Sequence, residues 1–235
     1  AALAPSSPER HQGDPKASAP SRHGQDPYLW LDPYDPMQAL EARIPPPRGF
    51  ERAAVPVGSF ASWLRGLPLK PGRPPVSLYD GRPKPNQEAH AAVIDLDVGR
   101  GDLQQCADAV IRLRAEYLYA QRVWGSIIYR FTNGTPAAFE GWAAGFRPQV
   151  RGNRVEWKKT ARPDRSYSSF RRYLETVFTY AGSASLEREL RPVSSVRSLR
   201  IGDVFIQGGA PGHAVLVIDL VEEPLTGRRK FLIAQ

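Results

Sequence analysis

The sequence predicts an α+β fold in which one long amphipathic helix packs on an antiparallel sheet. Three observations predict it. Leu103, Cys106, Val110, Leu113 and Tyr117 recur at spacings of three and four, drawing one apolar stripe along a helix. The last third carries strand-like runs at Asp203–Gln207, His213–Val221 and Lys230–Gln235, parted by glycine turns. Proline fixes φ and removes a backbone donor, and 17 of the 23 prolines fall in residues 1–85. The front of the chain is therefore expected to wrap, extended and irregular, around a more regular body.

Each element follows in order. Residues 1–27 are rich in Pro, Ser and charge without apolar periodicity, which predicts a disordered leader or linker. Residues 28–100 form the proline-rich region, and 101–235 the core. Within the former, Gly58-Ser-Phe-Ala-Ser-Trp-Leu-Arg predicts a short helix capped by Ser59, with Trp63 and Leu64 inward and Pro68 ending it. Val76-Ser-Leu-Tyr and Ala91-Ala-Val-Ile-Asp-Leu, with a turn at Asp80-Gly81, predict a strand pair. Asp102 and Gln105 form a capping-box pattern for the long helix. Then come a strand at Ser126–Phe131, a turn at Asn133-Gly134, a short helix within Phe139–Phe146 and a strand at Val155-Glu-Trp. A second helix spans Tyr167–Tyr180 with Gly182 as its C-terminal cap, and a third spans Ser183–Leu190. The run Phe-Leu-Ile-Ala-Gln stops in mid-pattern at Gln235, so the strand is expected to continue in the native protein.

Composition narrows the function. A hydrophobic share of 41% supports a core, and no apolar run is long enough to span a bilayer. The start, Ala1-Ala-Leu-Ala-Pro-Ser-Ser, reads like a mature or trimmed chain, compatible with export. The net charge of +8 favours anionic surroundings, whether nucleic acid, membrane headgroups or an acidic cell-wall polymer or peptide, and its plainer reading is a solvated basic surface. The cations are dispersed, and neither Arg228-Arg229-Lys230 nor Arg171-Arg172 makes a nucleic-acid motif. A shallow salt dependence of DNA binding would argue against that class. With one cysteine there is no intramolecular disulfide, and no metal or cofactor site is expected.

The candidate chemistry rests on scarcity. Cys106 is the single cysteine, and His11 and His23 lie in the leader, leaving His90 and His213 for a structured site. A thiolate is the nucleophile, and a free thiol has a pKa of about 8.5. A helix start favours the thiolate, and an imidazole opening a nearby strand takes and returns the proton. Gln235, on the strand beside that of His213, would orient the imidazole; Gln105 or Gln104 would offer an amide to an oxyanion. The plainer role for Cys106 is a core residue, since it lies on the apolar stripe.

The order Gly202-Asp-Val-Phe-Ile, glycine turn, Gly212-His-Ala-Val-Leu-Val resembles the second half of the papain-like amidases of the NlpC and CHAP types. That resemblance implies a papain-like fold, a thiol hydrolase or transferase acting on amide or ester bonds, peptidoglycan peptides as substrate, and a bacterial envelope or secreted location. It places the nucleophile at Cys106, the base at His213 and the third residue at Gln235. NlpC-type amidases carry Asp before the cysteine and Ser-Gly after it; here the order is Gln105-Cys106-Ala107, and the Cys-to-His separation is long. Pro47-Arg-Gly-Phe-Glu-Arg, Gly58-Ser-Phe-Ala-Ser-Trp-Leu-Arg, Leu103-Gln-Gln-Cys-Ala-Asp-Ala-Val, Phe131-Thr-Asn-Gly and the Gly202-to-His213 segment also resemble an uncharacterised bacterial domain-of-unknown-function family, found in exported or lipoprotein-like chains.

Other constellations compete. His90 is an alternative base for Cys106; Glu88 with His90, and Asp95 with Asp97, share strand faces if those segments are strands. Trp124, Tyr129, Phe131, Phe139, Trp142, Phe146 and Trp157 are dense enough to line a groove, although core packing accounts for most. Gly208–Gly212 precedes a strand and not a helix, so it is no phosphate cradle. The rival function is a non-catalytic envelope binding or scaffold protein on a degenerate papain-like body.

Overall fold

The computed structural model describes residues 27–99 and 101–235; the expected leader, with His11 and His23, falls outside the described residues except for Pro27. The architecture is mixed α+β with antiparallel sheets. Among the described residues the order is α1 (Leu40–Arg43), β1 (Glu51–Arg52), α2 (Phe60–Arg65), α3 (Cys106–Ala120), β2 (Ile128–Arg130), β3 (Pro136–Ala138), α4 (Phe139–Ala143), β4 (Phe146–Arg151), β5 (Arg154–Lys159), α5 (Tyr167–Tyr180), α6 (Ser183–Glu189), β6 (Val204–Gln207), β7 (His213–Glu222) and β8 (Arg229–Ala234).

Strand β7 is the axis. Its first half pairs with β6 and its last two residues with β1, while β8 runs along Leu216–Glu222. A residue pairs once on each side, so β6 and β1 share one edge of β7 and β8 holds the other. Helix α3 packs on β7. One core joins Tyr28, Leu40, Trp63 and Leu64 from the front of the chain to Val110, Ile111 and Leu113 of α3, to Tyr173 and Leu174 of α5, and to Ala214, Leu216 and Ile218 of β7.

The front of the chain wraps by aromatic anchors. In α2 the Ser59 side chain accepts the Ser62 N–H at 3.2 Å, and Trp63 and Leu64 point inward. Tyr28 and Tyr34 donate to the carbonyls of Trp63 and Gly66 at 2.6 and 2.8 Å. Their approach is so close that a Cβ at Gly66 would overlap the Tyr28 hydroxyl. The Trp30 indole donates to the Asp95 carbonyl at 2.7 Å.

Several expectations are corrected by tertiary contacts. Val76–Tyr79 turns back at Gly81 onto Arg82–Lys84, while Ile94 bridges to Leu69, so the two runs do not pair with each other. Glu88, His90, Asp95 and Asp97 accordingly lie in irregular segments and not on strand faces. The N-cap of α3 is Gln105 and not Asp102, with Asp108 accepting the Gln105 N–H at 3.1 Å. Gly182 has φ −177° and is the N-cap of α6, its N–H donating to Ser185 Oγ; α5 ends instead at Ala181.

At β7 the register slips: Val217 pairs with Ile233 and Asp219 with Leu232, leaving Ile218 as the extra residue of a bulge. Beside it Asp219 is buried between two cations. Its Oδ1 takes the Arg65 Nε–H at 2.7 Å and its Oδ2 the Arg52 Nε–H at 2.9 Å, and the Leu220 N–H adds a third bond. The remaining guanidinium protons reach the carbonyls of Ala53 and Ile44. Removing one partner of such a buried set strands the other charge, which costs about 3–5 kcal/mol. Asp219→Ala is therefore expected to lose stability on that scale in urea unfolding; a loss under about 1 kcal/mol would refute the role given to this cluster.

Candidate functional site

Cys106 is the first residue of α3, a free thiol and half-buried. The backbone enters the helix through Gln104 at φ +67°, a left-handed conformation rare for a side-chain-bearing residue. Its cause is visible: the Gln104 side-chain oxygen accepts from Arg112 Nη1 at 2.8 Å, two turns into the helix. The Gln105 amide donates to Asp102 at 3.5 Å, the outer limit of a hydrogen bond.

His213 opens β7, opposite Gln207 of β6. Val204 and Ile206 turn inward to the core with their partners Leu216 and Ala214. Strand alternation then puts Phe205, Gln207, His213 and Val215 on the outer face. On β8, Leu232 and Ala234 pack on the core while Ile233 is 51% exposed. Gln235, following Ala234, continues on that outer side, near Val215 in register. The strand that leads to Gln235 lies beside that of His213, as expected, and alternation puts the two residues on one sheet face. Cys106 belongs to a helix whose Ala107, Val110 and Ile111 pack into the core on the inner face. Among the described residues no hydrogen bond joins Cys106 to His213. His90 is held elsewhere, its Nε2 at 3.0 Å from the Pro74 carbonyl.

A charged cluster that the sequence did not announce lies along α3. Arg112 is fully buried and Glu116 is 1% exposed, 2.6 Å apart. Tyr167 donates to the same Glu116 oxygen at 2.9 Å, and Arg112 also reaches the Asp97 carbonyl. Burial pushes the Glu116 carboxyl up, with Arg112 and Tyr167 opposing it. Partial burial works the same way on Asp97, but Arg171 at 2.5 Å, the Gly99 N–H and Arg112 hold it below the usual carboxylate range. The Arg–Glu spacing of four residues is the one signal that could have found this pair, although such pairs are mostly solvated.

Asp108 is the perturbed group nearest the cysteine. Burial raises its carboxyl to about 6, and the Gln105 N–H only partly offsets this. Its Oδ1 is buried without a partner.

A concave feature lies far along the chain from Cys106. Pro136, Ala138, Gly141, Phe146 and Trp157 line an open, almost wholly apolar pocket of about 200 Å³. Trp157 is braced by stacking on Phe131, and its indole N–H is shielded from water without a partner. An unmet buried donor costs about 1–3 kcal/mol. The β4–β5 hairpin rises from this pocket, with Arg151 directly opposite Arg154 near its tip.

Among the described residues no group of three or more His, Cys, Asp or Glu is placed to hold a metal ion, and no helix is long and apolar enough to cross a membrane. Residues 40–235 match a family described as a domain of unknown function (4846). No curated protein and no solved structure matches the chain.

The Asp108 shift sets a pH dependence. A carboxyl raised from about 3.9 unfolded to about 6 folded binds protons more strongly when native, so stability falls as pH rises from 4 through 6. The positive helix start works against the shift, which limits the swing to the order of 2 kcal/mol. Asp108→Asn keeps the cap acceptor and is expected to flatten that decline in urea unfolding at pH 4 to 7. An unchanged slope would mean the carboxyl titrates normally.

Proposed function

We propose that this chain, which belongs to the domain of unknown function (4846) family, works as a binding module for an anionic partner of the cell envelope. The observation that carries this reading is the placement of His213 on the outer sheet face, beside Gln207, while the helix of Cys106 packs on the inner face. Among the described residues the thiol and the imidazole share no hydrogen bond, and general-base catalysis needs that reach. The surplus of cations, +8 overall, supplies attraction to an acidic polymer or peptide. An envelope location comes from the papain-like resemblance and is part of the same proposal.

The second reading is the papain-like thiol hydrolase or transferase acting on amide or ester bonds, with peptidoglycan peptides as its substrate. What favours it is that Cys106 stands half-buried at the start of a helix that packs on the strand opened by His213. There Cys106 is nucleophile, His213 base and acid, Gln235 the orienting residue, and Gln105 or Gln104 the oxyanion donor. It requires the imidazole to cross the opening of β7. The turn Gly208–Gly212 contains three glycines and gives the backbone that freedom. It also needs Gln104 to release Arg112 before it can serve the oxyanion.

The two readings part on the alkylation rate of Cys106 against pH. The binding module predicts a labelling rate and pH profile that are the same in His213→Ala as in the parent chain. Fast labelling at pH 6, lost in His213→Ala, would overturn it in favour of the thiol enzyme.

A further inference from the structure

Strand β8 pairs with β7 on one side, and its hydrogen bonds show what the other side offers. The Glu223 N–H donates to the Arg228 carbonyl at 2.8 Å, which makes these two the hydrogen-bonded pair next to the turn. The Leu220 carbonyl faces β1 instead, where Ala53 donates to it, so Leu220 and Phe231 are the unbonded kind of pair. Alternation thus gives β7 the backbone groups of Lys230, Leu232 and Ala234. The extra residue of the bulge lies on β7 and leaves this alternation on β8 intact. The N–H and C=O groups of Arg229, Phe231 and Ile233 point away from the sheet, and among the described residues no strand pairs with that side.

The opposite edge of the sheet is guarded. Helix α6 packs against β6, where Glu187 accepts the Gly208 N–H at 3.0 Å, and β1 is only two residues long. Strand β8 has no proline and no bulge of its own, and its centre reads Phe231-Leu232-Ile233-Ala234. Ile233 stands exposed on the outer face, which also carries Val215 and the exposed Phe205. A long apolar edge without such protection is a template for a further strand.

The geometry points to antiparallel pairing of β8 with the β8 of a second copy of this chain, about a two-fold axis. The outward groups belong to odd-numbered residues, so the registers that bond are those opposing odd to odd. With Leu232 opposite Leu232 the pairing runs from Arg229 to Gln235. It sets Phe231 against Ile233, Lys230 against Ala234 and Arg229 against Gln235, so apolar meets apolar and no like charges are opposed. A shift of two residues towards the turn would shorten the pairing and bring Arg229 against Ile233. The sequence of β8 therefore complements itself in the register that uses most of the strand. Pairing of this kind keeps both outer faces on one side of a continuous sheet. Phe205, Val215 and Ile233 of the two copies then share a surface with both His213 residues. The pairing goes beyond the binding-module reading and does not rest on it.

Sedimentation equilibrium of the full chain at rising concentration tests it, beside Ile233→Pro, Ile233→Lys, Gln235→Glu and Gln235→Lys, each checked for native circular dichroism. Proline at 233 removes an N–H that points off the sheet, a place where edge strands tolerate it. The expected result is a reversible monomer–dimer equilibrium. Each copy carries +8, so the dimer tightens as salt screens that repulsion. Ile233→Pro deletes two interchain hydrogen bonds by symmetry and weakens the dimer by about tenfold or more. Ile233→Lys weakens it by placing a charge against Phe231, and decides the matter alone if the proline variant fails to fold. Gln235→Glu, facing the second copy's Arg229, binds a few-fold tighter than Gln235→Lys. A monomer at every concentration overturns the pairing, and so does a dimer that persists unchanged in the Ile233 variants. Equal affinity of the two Gln235 variants overturns the stated register.

Discussion

The carboxylate of Asp219 is the constraint on which the rest of the fold depends. A single negative charge is buried at the bulge of the axial strand, and it is made tolerable only by cations delivered from two distant segments. Arg65 comes from α2 and Arg52 from β1, more than 150 residues away along the chain. Neither guanidinium is free to leave, because each also holds backbone carbonyls of the proline-rich front. The wrap and the sheet are therefore joined by an interaction that cannot be half made. Buried ion pairs of this kind add little net stability over an apolar replacement, but they penalise misassembly heavily.

Helix α3 is the second organising element, and it is unusual in being buried on almost every side. Its apolar stripe faces the core, yet Arg112 and Glu116 lie on another flank that is also enclosed. Trp30, Gln104, Asp97 and Tyr167 close over them. The cost of burying that pair is offset by multiple hydrogen bonds, and one of them fixes the left-handed turn at Gln104 that sets the direction of entry into Cys106. The thiol's position thus follows from a charge two turns downstream.

Much of the local structure was legible in the residues. The Ser59-capped helix, the long helix through Cys106, the Tyr167–Tyr180 helix and the three C-terminal strands all lie where the periodicity and turn chemistry put them. The Asn133-Gly134 turn does join two strands. The failures share one cause. Gly182 looks like a C-terminal cap, but in φ it is extended and caps the following helix instead. Val76–Tyr79 and Ala91–Leu96 have strand composition, yet each takes its hydrogen bonds from another segment. The resemblance to an uncharacterised family is shown over residues 40–235.

The sequence by itself determined most of the helices and the C-terminal strands, the Ser59 cap, the surplus of positive charge and the short list of groups able to do chemistry. Those properties are local: they follow from period, side-chain type and composition. Only the tertiary structure decided which face of the sheet carries His213, which cations reach Asp219, and that Phe146 and Trp157 of the aromatic segment line an apolar pocket. A strand's facing depends on what packs against it, because consecutive residues point to opposite sides and the identity of the buried side is set by distant partners. The same Cys, His and Gln order is compatible with a site or with none, because whether a thiol and an imidazole meet depends on how a helix seats on a sheet, which no local pattern encodes.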